Sequence, residues 1–108
     1  MEKLVTTIIV DDEPATRRNL QRRLSSAGGF DVVAEGRNGS DALKLIRELK
    51  PQLVFLDVQM PGVDGFDVLR GLPEKPLPTI VFVTASDAFA IQAFKSNNLA
   101  YLLKPVTE

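Results

Sequence analysis

Five short apolar runs, rich in β-branched residues, recur along the chain at residues 4–10, 30–36, 53–57, 79–84 and 100–103. Between them the apolar spacing changes to that of a helix. Pro14 suits a first helical turn, Leu20, Leu24 and Ala27 follow at helical intervals, and Gly28 and Gly29 close the segment. Ser40 is the expected cap of a second helix, with Ala42, Leu43, Ile46 and Leu49 as its apolar face, and Lys50–Pro51 stops it. Residues 64–72 fit a short helix, 73–78 a loop, and 87–98 a helix ended by asparagines. Strands alternating with helices predict an α/β domain, a parallel sheet covered on both faces. Right-handed crossovers then carry every strand's C-terminal end to one edge, where such sheets bind their ligands.

That edge collects unusual chemistry. The first strand runs "IIV" into Asp11 and Asp12, and the third ends in Asp57. The fourth ends in Thr84, and Lys104 follows the fifth. Neighbouring carboxylates repel each other and lose hydration on burial, so three of them at one edge need a positive partner. A hard divalent cation with oxygen ligands supplies it, Mg²⁺ (or Mn²⁺) suits the set, and Lys104 adds a point charge. The chain has no histidine and no cysteine. That removes the usual general base, thiolate nucleophiles and zinc–thiolate sites. A carboxylate is a competent nucleophile towards phosphorus, and phosphoryl transfer needs mainly positioning and charge neutralisation. Reversible formation of an aspartyl phosphate is the chemistry these residues can support.

Size and charge narrow the reading further. With 108 residues and 44% hydrophobic content there is material for one core. A net charge of −1 does not match nucleic acid. Arg17, Arg18, Arg22 and Arg23 crowd one helix, where a solvated face is the expectation, and Phe89 and Phe94 are expected in the core or on a partner surface. No apolar run approaches the about 20 residues that span a bilayer, and the N-terminus lacks a signal-peptide core, so a cytoplasmic location is the default.

The stretches "IIVDDEP" (8–14), "LVFLDVQMPGVDGFDVL" (53–69), "VFVTA" (81–85) and "YLLKP" (101–105) resemble, in order and spacing, the receiver domain of two-component response regulators. The resemblance implies a flavodoxin-like, doubly wound sheet of five parallel strands in the order 2-1-3-4-5. It implies Asp57 as phosphoacceptor and metal ligand, Asp12 as a direct Mg²⁺ ligand, Asp11 acting mostly through bound water, and ligation by the Gln59 backbone carbonyl. Thr84 and Lys104 would contact phosphoryl oxygens, Tyr101 would turn inward when Thr84 moves, and the Lys104–Pro105 peptide would be cis. A partner histidine kinase would donate the phosphoryl group, and the domain would catalyse only its own phosphorylation and dephosphorylation rather than act as an enzyme on other substrates. Residues 84–106 further resemble receivers joined to LytTR-type DNA-binding domains. On this reading residues 1–108 are a receiver truncated after its fifth strand, with the family's fifth helix and the output domain lying beyond. A second copy is expected to cover the sheet face left bare, as a homodimer or swapped assembly. The domain itself would touch neither membrane nor nucleic acid.

Two other classes compete. A phosphatase of the haloacid dehalogenase type would resemble a D-x-D pattern after the first strand, whereas Asp11 and Asp12 are adjacent and Asp57 begins "DVQ". A receiver-like interaction module that is never phosphorylated would have no need of Asp11, Asp12, Asp57, Thr84 and Lys104 together.

Overall fold

The computed structural model describes residues 3–57, 60, 62–72, 78–84 and 99–103. Its elements are β1 (Val5–Val10), α1 (Pro14–Ala27), β2 (Phe30–Gly36), α2 (Gly39–Leu49), β3 (Leu53–Asp57), α3 (Gly65–Gly71), β4 (Thr79–Thr84) and β5 (Leu99–Leu103). The strands pair in parallel, in the order β2-β1-β3-β4-β5. The helix expected at 87–98, with Phe89 and Phe94, lies outside the described residues, as does most of the loop at 73–78. No helix among the described residues is long and apolar enough to cross a membrane.

Side-chain alternation along the central strands splits the interior in two. Ile8 and Val10 of β1, Val54 and Leu56 of β3, and Ile80 and Phe82 of β4 face α2 and α3, which contribute Ala42, Ile46 and Val68. Ile9, Phe55 and Val83 face the other way, against Leu20 and Leu24 of α1. With both faces covered, β3 is apolar up to Asp57 and the second half of β1, Ile8–Val10, is wholly apolar.

The helix ends follow local chemistry. Gly28 leaves α1 with φ 77°, and its N–H donates to the Leu24 carbonyl. Lys50 takes the left-handed conformation at the end of α2, φ 47°, immediately before Pro51. The expected cap of α2 is corrected: Asn38, not Ser40, holds that place. Asn38 is extended, its Oδ1 accepts from the Asp41 N–H at 2.8 Å, and Asp41 Oδ2 accepts from the Arg37 N–H at 3.0 Å. The two bonds satisfy the N–H groups of Asp41 and Arg37, the second lying one residue before the cap, and the helix starts earlier than a serine cap would allow. Leu49 is corrected too. It is exposed, and Leu45 packs against the core instead.

One irregularity was invisible in the sequence. Val5 pairs with Phe30 and Thr7 with Val32, but the next residue, Ile8, pairs with Ala34. Val33 is therefore an extra residue, a bulge in a parallel pair, where bulges are rare. The bulge flips the alternation of β2. Phe30 and Val32 join the α1 side of the sheet, while Ala34 joins the α2 side.

Candidate functional site

The sheet register builds the site before any side chain is considered. Val10 lies opposite Leu56, so the next residues of β1 and β3, Asp11 and Asp57, emerge at one level. Asp57 lies opposite Val83, and Thr84 closes β4 beside them, opposite Leu103. Carboxylate oxygens of Asp11, Asp12 and Asp57 all lie within 4.8 Å of one another. Asp11 and Asp57 are buried, at 1% and 3% exposure, whereas Asp12 is exposed and forms the solvent side of the cluster.

The turn after β1 is tightly held. The Asp11 N–H continues the strand ladder to the Gly36 carbonyl at 3.1 Å. Asp11 Oδ1 accepts from the Glu13 N–H at 2.8 Å, and Oδ2 is buried. Arg17 Nη1 donates to the Asp11 carbonyl at 2.6 Å, and its Nε lies 3.2 Å from Glu35 Oε1. In the segment that follows Asp57, Val63 packs against the buried Gly39 at the start of α2. A Cβ on Gly39 would collide with the Val63 carbonyl oxygen, so only glycine admits this approach. Asp64 and Asp67 then cap α3 reciprocally, with the Asp67 N–H donating to Asp64 Oδ1 at 2.8 Å and the Asp64 N–H to Asp67 Oδ2 at 3.1 Å.

Of the residues singled out in the sequence, Asp11, Asp12 and Asp57 come together. Thr84 ends β4, and Tyr101 lies in β5 opposite Phe82 in the backbone register. Gln59, Lys104 and Pro105 lie outside the described residues. Arg17 corrects the expectation of a wholly solvated basic face. Arg18, Arg22 and Arg23 are exposed, but the Arg17 side chain is only 16% exposed and engages the turn after β1 at the Asp11 carbonyl. No sequence signal separated it from its neighbours, because its partner Glu35 is placed by the bulge.

The donor set is all oxygen, with no sulfur or imidazole available, which fits a hard divalent cation. Oxygens on opposite sides of a Mg²⁺ stand about 4 Å apart, close to the spread seen here, so modest side-chain rotation suffices.

Residues 7–108 match the family model of the response regulator receiver domain. The chain belongs to that family. It is 48% identical over 103 residues to an uncharacterised response regulatory protein of Vibrio vulnificus, covering 95% of this chain and 43% of that one. It is 39% identical over 105 residues to the transcriptional regulatory protein BtsR of Salmonella typhi, covering 97% of this chain and 44% of BtsR. The chain thus spans under half the length of these curated relatives. The signal receiver domain of the putative response regulator NarL from Mycobacterium tuberculosis superposes with a TM-score of 0.83 at 34% identity, covering 97% of this chain and 87% of that domain.

Proposed function

We propose that this receiver domain is a phosphorylatable switch that accepts a phosphoryl group on Asp57 in a divalent-cation-dependent reaction. The observation that carries the reading is the convergence of three carboxylates, two of them buried, within 4.8 Å at the C-terminal edge of the sheet. A buried acidic nest of this kind is unfavourable unless a cation offsets it. Asp12 and Asp57 are the direct ligands, Asp11 acts mostly through water, and the Gln59 carbonyl completes the protein's share. Mg²⁺ or Mn²⁺, when bound, supplies the charge neutralisation that phosphoryl transfer requires.

Asp57 attacks the phosphorus of a phosphohistidine on a partner kinase. An O–P bond forms, the P–N bond breaks, and the leaving imidazole takes up a proton. Thr84 and Lys104 hold the phosphoryl oxygens and orient the group. A group of about −2 charge then draws Thr84 and Lys104 inward, and Tyr101 follows into the space beside β4. The β4–β5 side of the sheet and the segment between those strands become the responsive surface, biasing a two-state element. The output is homodimerisation that aligns a DNA-binding domain, of LytTR type, carried by the longer polypeptide in the cytoplasm. Similarity to a transcriptional regulatory protein supports that output.

Incubation with Mg²⁺ and a small phosphodonor should add one phosphoryl group to the intact protein, read by mass spectrometry. The Asp57→Asn variant should add none. Labelling that survives this substitution would defeat the assignment.

A further inference from the structure

We infer that Arg17 and Glu35 are positioning residues for the cation site: their ion pair, aimed by the Val33 bulge, fixes the Asp11–Asp12 turn. The inference rests on the cation-site reading above and deepens it.

Strand parity is the first step. Without an extra residue in β2, Glu35 would share a face with Asp31 and Val33. The shift between Thr7 and Ile8 instead sets Glu35 opposite Ile9, a residue of the α1 face. The bulge thus aims Glu35 at α1, a use typical of bulges beside functional sites. Arg17 is the residue of α1 that meets it, at 3.2 Å.

The second step is what Arg17 does with its remaining donors. Its guanidinium reaches back to the Asp11 carbonyl at 2.6 Å, while its own N–H bonds the Glu13 carbonyl at 3.2 Å. One side chain therefore ties the strand end, the first turn of α1 and the end of β2 together. Fixing the carbonyl of Asp11 fixes the peptide plane between Asp11 and Asp12, and so the direction in which Asp12 leaves the chain. The planar fork bridges two acceptors at set angles, which a lysine ammonium on a flexible stem does not.

Charge and geometry predict opposite effects, which makes the role testable. A guanidinium near the nest repels an incoming cation, so a purely electrostatic role predicts that removing the charge tightens binding and that Arg17→Lys changes nothing. A positioning role predicts that Arg17→Lys weakens binding although the charge is kept.

Mg²⁺ titration by calorimetry on the wild type, Arg17→Lys and Glu35→Gln, with amide hydrogen exchange on the metal-free proteins, decides the matter. Arg17→Lys should lose about tenfold in Mg²⁺ affinity, the lower range for groups that orient metal ligands. Glu35→Gln should shift it less, in the same direction. The Asp11 and Glu13 amides, both hydrogen-bonded in this turn, should exchange faster in each variant. Should Arg17→Lys fail to fold, amide exchange in Glu35→Gln carries the test, because removing a negative charge beside the nest weakens cation binding on electrostatic grounds alone. Wild-type affinity and wild-type exchange in the folded variants would overturn the positioning role. No binding heat from the wild type would instead overturn the cation site on which it rests.

Discussion

Asp67 shows how one side chain at the start of α3 ties stability to pH. The Asp64 N–H donates to its carboxylate, and Arg70 pairs with it one turn on, and together they hold its pKa below the ordinary 3.8. Because the folded value is the lower one, the carboxylate stabilises the fold fully above pH 3.8 and loses that contribution as pH falls towards the lowered value. Asp67→Asn should therefore unfold at lower denaturant than the wild type at neutral pH, and the gap should close on acidification below 3.8. A gap that widens in acid would contradict the assignment. Legibility at this scale was uneven. Asp11, Asp12 and Asp57 stood out because carboxylates ending apolar strands are anomalous. Arg17 did not, because three other arginines share its helix and its partner is set by a register shift that local spacing does not encode. Asn38 was passed over for Ser40, although the Asp41 N–H three residues on is the donor an asparagine cap at 38 would take.

At the scale of elements, the strands were legible as apolar runs and the helices as breaks in that pattern. Observed boundaries stay within a residue or two of expectation where Pro14, Gly28 or Pro51 punctuates the chain. What sequence spacing lacks is contact across elements. Gly39 reads as a poor helix former, yet the start of α2 is pressed against Val63, and the glycine is what lets the segment after Asp57 approach. Arg47 of α2 reaches the Gly71 carbonyl at 3.4 Å and joins α2 to the end of α3. Helix propensity alone would favour Gly39→Ala by about 1 kcal/mol. The collision an alanine Cβ would make with the Val63 backbone predicts the reverse, a loss of about 1–3 kcal/mol from overpacking, seen as a lower unfolding temperature. An unchanged or raised unfolding temperature would show that the Val63 segment yields freely.

For the whole molecule, topology is what turns scattered residues into one centre. Asp11 and Asp57 are far apart in sequence but emerge side by side because β1 and β3 are parallel neighbours in register. The alternation of strands and helices sufficed to foresee that convergence, since parallel strands all deliver their C-terminal ends to one edge. It could not foresee which strand would carry a bulge, because that depends on how β2 docks against α1 and α2 at once. The central claim is that this edge forms a single divalent-cation-dependent phosphoacceptor centre. The most direct measurement maps the phosphoryl group after chemical trapping, in parallel samples with Mg²⁺ and with chelator. Label on Asp57 with Mg²⁺, and its loss on chelation, is the expected result. Label on another residue, or incorporation indifferent to the chelator, would contradict it.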